Sequence, residues 1–226
     1  MTTLFWDIDN TLIDFVASSH EAFFELCANH HLAVDEGHFA RWYAFKERFW
    51  RQQEKGLITI DEIVAHQFDL LQEETHFSGN LLDFSLEFQQ LLYHHAVPVA
   101  HAVETVRWCH EQGFRQFAAS NGYLSQQISR LTQAGLLPYF EALFVSDDLG
   151  ATKPNLPFFE KALHLSNTQP HNALMIGDNI ITDVQGAHSA QINTCWFNPQ
   201  HFKNETEVIP TYEIYDILEI KEILSR

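Results

Sequence analysis

From residue 98 onward the sequence alternates between helical patterns and short apolar runs of β-prone residues. Strand-like runs are predicted at 114–119, 143–145, 173–176 and 194–197. Helical patterns fill the intervals: one runs to Gly113, one ends at Gly135, one follows Pro157 and one crosses 184–190. Repeated βα units form parallel sheets that are covered by helices. The alternation therefore predicts an α/β fold.

The part of the chain before this alternation begins with one more strand-like run, Thr3 to Trp6, and then turns helical. Apolar and aromatic residues recur there at three- and four-residue spacing, as on the buried side of helices. Thr59 and Glu62 have the spacing of a capping box, and a further helix is expected to begin near Asn80. These patterns predict an inserted helical region.

A chain of 226 residues is long enough for one large domain with an inserted subdomain. We assign 1–14 and 97–226 to the sheet-containing domain and 15–96 to the helical insertion. In a parallel sheet, ligands bind beyond the carboxyl ends of the strands, so polar residues are expected to cluster there. The residues that follow strand-like runs include Asp7, Ser120, Asn121, Asp147, Asp148 and Asp178.

Asp7 and Asp9 follow the first strand at a spacing of two, which in extended backbone points both carboxylates to the same side. One carboxylate can attack a phosphate monoester while the other handles protons. Bound Mg²⁺ screens the repulsion between an anionic nucleophile and an anionic phosphate. A Ca²⁺ loop of the EF-hand type is excluded, because Leu12 and Ser18 stand where that loop needs Gly and Glu. An ordinary polar turn remains the alternative.

Three later segments add groups suited to phosphate and metal. Ser120, Asn121 and Gly122 offer a hydroxyl and backbone N–H groups to phosphate oxygens, although such a tripeptide is also a common turn. Lys153 offers one of the few cations, and its alternative role is a solvated surface lysine. Asp178 and Asp183 could hold Mg²⁺ and orient the lysine, or they could mark the acidic start of a helix.

In this order and at these strand ends, the four segments resemble the four motifs of the haloacid dehalogenase-like hydrolase superfamily, over essentially the whole chain. The resemblance implies a Rossmann-like core and a helical cap that closes over the substrate. The second aspartate, Asp9, is similar to that of the phosphatase branch, because the dehalogenases lack it.

The resemblance also implies a role for each matching residue. Asp7 would be the nucleophile and a Mg²⁺ ligand, and Asp9 would be the acid/base that also offers its carbonyl to the metal. Asp178 would ligate Mg²⁺. The remaining implied roles are phosphate binding by Ser120 and Asn121, neutralisation of nucleophile and phosphate by Lys153, and support of the site by Thr11, Gly122 and Asp183.

Finer features resemble the house-cleaning pyrimidine 5'-nucleotidases, which act on nucleoside monophosphates. These features are Trp50 with the stretch 56–59, the stretch 135–140 and the stretch 194–198. Ser120 stands where many relatives have Thr, which preserves the hydroxyl. The resemblance implies a nucleotide as substrate. Phosphoglycolate or sugar-phosphate hydrolysis, a phosphosugar mutase and a non-catalytic binding protein remain alternatives.

A formal charge of -17 opposes binding to nucleic-acid polymers and to anionic membranes, so a small phosphorylated metabolite is the expected partner. The first residues lack the basic and apolar regions of a secretory signal, and three dispersed cysteines fit reduced thiols. We therefore expect a cytoplasmic monomer or homodimer. The histidines lack metal-site spacing, and GxSxG, GxGxxG and Walker motifs are absent from the sequence.

Overall fold

The computed structural model describes residues 2–54 and 56–225. The chain divides into two compact units. We call Met1–Phe15 together with Ala96–Arg226 the core unit, and Val16–His95 the helical unit.

The core unit contains a six-stranded sheet in which every pair of neighbouring strands is parallel, in the order β3-β2-β1-β4-β5-β6. Its strands are β1 (Thr3–Trp6), β2 (Arg115–Ser120), β3 (Ala142–Val145), β4 (Ala173–Gly177), β5 (Asn193–Phe197) and β6 (Tyr212–Ile214). The predicted α/β class with a Rossmann-like parallel sheet is confirmed.

β1 lies between β2 and β4, and Trp6 at its end is in register with Ala118 and Ile176. The carboxyl ends of these three strands therefore open at the same edge of the sheet. Residues that follow β1, β2 and β4 in the sequence are brought together there, although long stretches of chain separate them.

The strand β1 is buried along its whole length, as expected for a parallel strand covered on both faces. Its side chains alternate between the two faces, with Leu4 and Trp6 in one hydrophobic cluster and Phe5 in the other. Phe5 stacks on Phe117 of β2 with ring centroids 5.6 Å apart. This packing on both faces makes the strand a rigid base for the residues that follow it.

Helices connect the strands of the core unit. They are α6 (Ala102–Glu111), α7 (Leu124–Gln133), α8 (Ser146–Leu149), α9 (Leu156–Leu165), α10 (Gly186–Ser189) and α11 (Glu219–Leu224), with 3-10 turns at Leu137–Tyr139 and Pro170–Asn172. The single helix predicted across 184–190 was wrong in its extent, because a π-helical segment, Ile180–Gln185, precedes α10. Neither β6 nor α11 was predicted, because three- and six-residue elements are too short to show a clear periodicity.

The helical unit consists of α1 (Phe15–Asn29), α2 (Glu36–Glu54), α3 (Ile60–His66), α4 (Asp69–Thr75) and α5 (Leu81–Leu92), and α1 begins at the last residue of the preceding core segment. Aromatic rings fill its interior: Trp42 stacks on Phe68 with centroids 5.2 Å apart and meets Phe88 edge-on at 5.1 Å. The predicted capping box at Thr59 is confirmed, and Asn80 caps α5 as predicted.

Among residues 2–54 and 56–225, no helix combines the length and the apolar character that a membrane span requires. Cys27, Cys109 and Cys195 are buried and form no disulfide. Burial raises the pKa of the Cys27 and Cys109 thiols to about 12.

Candidate active site

Asp7 is the first residue beyond β1, and the sheet continues to hold its backbone. Its N–H donates to the carbonyl of Ile176 at 2.9 Å. The chain then folds into a tight turn in which the N–H of Asn10 donates to the carbonyl of Ile13 at 2.7 Å. Asn10 has a φ of 60°, a left-handed conformation that Asn tolerates better than most residues. This turn returns the buried Thr11 towards the end of the strand.

Lys153 connects the strand ends through its ammonium group. The Nζ donates to Oδ1 of Asp7 at 2.6 Å, to Oδ1 of Asp183 at 2.6 Å and to the carbonyl oxygen of Ala119 at 2.8 Å. These contacts match the three N–H donors of an ammonium group. Lys153 is 3% exposed, so the alternative of a solvated surface lysine is wrong.

The segment after β4 holds Asp183 against Lys153. Oδ2 of Asp183 accepts from the N–H of Asn179 at 3.1 Å, while its other oxygen faces the ammonium. The side chain of Asn179 in turn accepts from the N–H groups of Ile181 and Thr182 at the start of the π-helical segment. A Cβ at Gly177 would overlap the Asp183 carboxylate. Glycine at this strand end is therefore a condition for the close approach of Asp183.

Asp178 lies beside this group and is half-buried. Its N–H donates to Oγ1 of Thr11 at 3.0 Å, and its carbonyl accepts from the indole N–H of Trp196 at 2.8 Å. The same Thr11 hydroxyl oxygen lies 3.2 Å from Oδ2 of Asp7 and 3.4 Å from Oδ1 of Asp178. Thr11 thus stands between the two carboxylates that follow β1 and β4.

Carboxylate oxygens of Asp7, Asp178 and Asp183 lie within 4.8 Å of one another. Three carboxylates face one ammonium group, which leaves the site short of positive charge. Oxygen donors at this spacing suit a hard divalent cation such as Mg²⁺. The residues present therefore fit the metal that the sequence predicts, with Asp183 also engaged by Lys153.

The pKa values of these groups reflect burial first and the surplus of negative charge second. Burial raises the pKa of Asp7 to about 7, although Lys153 opposes the rise, and repulsion from Asp183 and Asp9 adds to it. Burial, followed by repulsion from Asp7, raises the pKa of Asp178 well above its usual range. Burial by itself lowers the pKa of Lys153, but Asp183 and Asp7 outweigh this and raise it above its ordinary value.

Asp9 is held by a different set of donors. Oδ2 accepts from Nε2 of Gln127 at 2.8 Å, and Oδ1 accepts from Nη1 of Arg130. Both donors lie on α7, which follows β2. Gln127 and Arg130 were not predicted as site residues, because polar residues on a helix are usually solvated. Their sequence signal is helical spacing: Gln127 precedes Arg130 by three residues and the apolar Leu131 by four, so the three share one side of a helix. All three are buried.

Ser120, Asn121 and Gly122, at the turn after β2, lie between the residues around Lys153 and the donors that hold Asp9. Ser120 is the last residue of β2 rather than the first after it, and its Oγ accepts from the N–H of Gly122 and from Nε2 of Gln127, both at 3.0 Å. The amide of Asn121 donates to the carbonyl of Lys153 at 2.9 Å and accepts from its N–H at 2.8 Å. Asn121 therefore holds the backbone of Lys153 in place.

Six of the nine predicted site residues form one hydrogen-bonded group around Lys153 and Asp178: Asp7, Thr11, Asn121, Lys153, Asp178 and Asp183. Ser120 adjoins this group at the start of the turn after β2, where its hydroxyl accepts from the N–H of Gly122. Gly122 belongs to the same turn, and Asp9 is joined to Ser120 by Gln127. Asp147 and Asp148, expected among the polar strand-end residues, are exposed on α8 and lie outside the carboxylate group.

Known proteins share both sequence and fold with this chain. The profile of the family described as haloacid dehalogenase-like hydrolase matches residues 1–191. The chain is 31% identical to the pyrimidine 5'-nucleotidase PynA of Streptococcus pneumoniae, over 99% of this chain and 94% of PynA. It is 25% identical to the pyrimidine 5'-nucleotidase YjjG of Escherichia coli, over 99% of this chain and 97% of YjjG.

The fold is similar to the crystal structure of the HAD-hydrolase YfnB of Bacillus subtilis bound to magnesium. The two structures superpose with a TM-score of 0.93 at 29% sequence identity, over 100% of this chain and 99% of YfnB. Family profile, relatives and fold thus agree over nearly the whole chain, and the family predicted from the four motifs is confirmed. The chain belongs to the haloacid dehalogenase-like hydrolases.

Proposed function

We propose that the chain, a phosphatase of this family, is a Mg²⁺-dependent enzyme that hydrolyses pyrimidine nucleoside 5'-monophosphates through an aspartyl-phosphate. The observation that carries the proposal is the buried carboxylate of Asp7, held 2.6 Å from the ammonium of Lys153 beside two further carboxylates. A carboxylate that must attack an anionic phosphate needs a cation beside it, here Lys153, and ligands for a metal ion that would add further positive charge.

Asp7 is the proposed nucleophile. One of its oxygens attacks phosphorus, the bond from phosphorus to the ester oxygen breaks, and the leaving alcohol takes a proton. Water then attacks the aspartyl-phosphate at phosphorus, which releases inorganic phosphate and restores the carboxylate. Lys153 offsets negative charge on both the nucleophile and the phosphate, which is why its burial and its triple anchoring matter.

Asp9 is the proposed acid/base. It donates the proton to the leaving alcohol in the first displacement and accepts a proton from the attacking water in the second. Its carboxylate has its own donors, Gln127 and Arg130, and is not one of the three clustered carboxylates. This separation supports a division of roles in which Asp7 forms the covalent bond and Asp9 moves protons.

The turn after β2 is proposed to bind the phosphate. The hydroxyl of Ser120 and the backbone around Asn121 and Gly122 would contact phosphate oxygens, together with the ammonium of Lys153. The side chain of Asn121 would act mainly by holding the backbone of Lys153, as its two hydrogen bonds to that residue indicate.

Asp7, Asp178 and the backbone carbonyl of Asp9 would hold Mg²⁺, with Asp183 supporting the site. When bound, the cation would supply positive charge that screens the carboxylate from the phosphate it attacks. The raised pKa values of Asp7 and Asp178 are consistent with this, because burial first, and repulsion among the carboxylates second, disfavour their ionised forms more than Lys153 favours them. The relative YfnB, whose crystal structure is magnesium-bound, supports the choice of metal.

The substrate class rests on the relatives. PynA and YjjG are pyrimidine 5'-nucleotidases and align with this chain over almost its full length. The formal charge of -17 favours a small phosphorylated metabolite over a polyanion. We propose that the helical unit corresponds to the cap that the family resemblance implies, and that it contributes to the choice of substrate.

Asp7→Asn should abolish turnover while the fold survives, because an amide cannot form the acyl-phosphate. We expect kcat to fall by roughly 10⁴-fold or more, as for other nucleophile removals. Phosphatase assays and circular dichroism measure the two effects. Asp148→Asn is the matched control, since that exposed carboxylate lies outside the group, and it should keep wild-type activity. Turnover by a folded Asp7→Asn protein would refute the covalent route.

Asp178→Asn should stabilise the metal-free protein, because it removes a carboxylate whose ionised form is disfavoured by burial and by repulsion from Asp7 and Asp183. We expect a gain on the order of 1 kcal/mol in the free energy of unfolding in EDTA. The rise in Tm that Mg²⁺ gives the wild type should shrink strongly in this variant. Thermal melts with EDTA and with Mg²⁺ test both effects, and an equal Mg²⁺ response in the two proteins would exclude Asp178 as a ligand.

The affinity for Mg²⁺ should rise with pH through about 7, where the raised pKa of Asp7 lies. Below that pH a proton occupies the carboxylate, and the cation must displace it; above it the oxygens are already ionised. Calorimetric titration on either side of this pH, in buffers of different ionisation enthalpy, measures the affinity and the protons released. A pH-independent affinity without proton release would contradict this assignment.

A substrate screen tests the nucleotidase proposal directly. UMP, dUMP and dTMP should give the highest kcat/KM with Mg²⁺, and EDTA should suppress all activity. Preference for phosphoglycolate or hexose phosphates would instead indicate a different phosphatase. Activity that depends on an added sugar bisphosphate would indicate a mutase, and no hydrolysis of any ester would indicate a binding protein.

A further inference from the structure

Two side chains of α7 hydrogen-bond to the carboxylate of Asp9. Nη1 of Arg130 donates to Oδ1, and Nε2 of Gln127 donates to Oδ2 at 2.8 Å. Since each oxygen of the carboxylate has its own donor, both the position and the rotation of the group are restrained. The contact from Arg130 joins two charged groups, and such charge-assisted hydrogen bonds are stronger than neutral ones.

Arg130 is fully buried, at 0% exposure, and Asp9 is the carboxylate it pairs with among the residues that the structure describes. Its Nε and Nη2 have no hydrogen-bond partner within residues 2–54 and 56–225, and the guanidinium lies 5.1 Å from the ring centroid of Phe15. Burying a guanidinium with part of its donors unsatisfied costs free energy. Stability alone therefore gives no reason for arginine at this position.

Gln127 connects this ion pair to the turn after β2. Its Oε1 accepts from Nη1 of Arg130 at 3.3 Å, and its Nε2 donates to Oγ of Ser120 at 3.0 Å as well as to Asp9. The close contact between Gln127 and Ser120 requires glycine at position 122, because a Cβ there would lie 2.5 Å from Nε2 of Gln127. One side chain thus ties the proposed acid/base to the proposed phosphate-binding hydroxyl.

We propose that Arg130, together with Gln127, is a positioning residue that holds the carboxylate of Asp9 at the ester oxygen of a phosphate bound by the turn after β2. The inference rests on the proposed function, since it presumes that Asp9 is the acid/base. α7 begins four residues after Ser120, so one rigid element positions both the acid/base and the phosphate site. Small displacements of a proton donor lower the rate of its transfer step strongly.

The leaving group of the substrate determines how much the position of Asp9 matters. An alkyl phosphate such as a nucleoside monophosphate needs a proton on its departing oxygen, whereas p-nitrophenyl phosphate releases a stable phenolate. Because kcat/KM covers the steps up to departure of the leaving group, a misplaced Asp9 should lower kcat/KM for the first ester far more than for the second. A purely structural role, or direct contact of Arg130 with phosphate, would affect both esters alike.

The experiment compares wild type, Arg130→Met, Arg130→Lys and Gln127→Leu on UMP and on p-nitrophenyl phosphate, with Mg²⁺. For Arg130→Met we expect kcat/KM for UMP to fall by about 10²-fold, the usual size of an acid-base contribution, with KM nearly unchanged. The aryl ester should lose only a small part of its kcat/KM. Arg130→Lys should recover part of the loss, and Gln127→Leu should show the same ester selectivity at smaller size.

A double-mutant cycle adds two further variants, Asp9→Asn and the combination of Asp9→Asn with Arg130→Met. If Arg130 acts through Asp9, its substitution should have no further effect on UMP hydrolysis once Asp9 is replaced. Independent, multiplying effects would overturn the inference, as would equal losses on the two esters or a loss confined to KM. Melting curves by circular dichroism establish that each variant is folded, and Gln127→Leu and Arg130→Lys carry the test if Arg130→Met does not fold.

The variants distinguish a failure of the proposed function from a failure of the positioning role of Arg130. If Asp9→Asn hydrolyses UMP as fast as wild type, or wild type hydrolyses no phosphate ester, the proposed function itself is wrong. If Asp9→Asn loses UMP hydrolysis while folded Arg130→Met and Gln127→Leu keep it, the acid/base assignment stands and only the positioning role of Arg130 is refuted.

Discussion

The ammonium group of Lys153 is the interaction on which the rest of the site depends. Its three donors end on Asp7 after β1, Ala119 in β2 and Asp183 after β4. The parallel sheet, in which β1 lies between β2 and β4, brings these acceptors within reach of one nitrogen. A buried ammonium that lost one of these partners would be costly, so the fold and the charge arrangement support each other.

The two aspartates that follow β1 occupy different electrostatic surroundings although a single residue separates them. Asp7 faces a lysine and two carboxylates, and burial together with repulsion raises its pKa to about 7. Asp9 faces an arginine and a glutamine from α7. Pairs of carboxylates in contrasting environments are how one site can perform two different chemical tasks. This contrast is the physical basis for separating the nucleophile from the acid/base.

Much of the framework was predictable, since apolar periodicity and strand-end polar residues are local signals. The strand Thr3–Trp6, the capping box at Thr59 and the α/β class follow from such patterns. Asp148 carried the same strand-end signal, yet it lies exposed on α8. A strand end indicates which edge of the sheet a residue occupies, but the direction of its side chain depends on the helix or turn that follows.

The sequence by itself determined the class of fold and the identity of the residues that follow β1, β2 and β4, because these depend on apolar periodicity and spacing along the chain. The hydrolase family followed from the resemblance of the four motifs to those of known proteins. The tertiary structure alone decided which side chains contact each other. It turned the amide of Asn121 onto the backbone of Lys153, and it placed the buried Arg130 against Asp9. Both contacts join residues far apart in the sequence, and whether a polar side chain faces water or a buried partner is settled by packing in three dimensions.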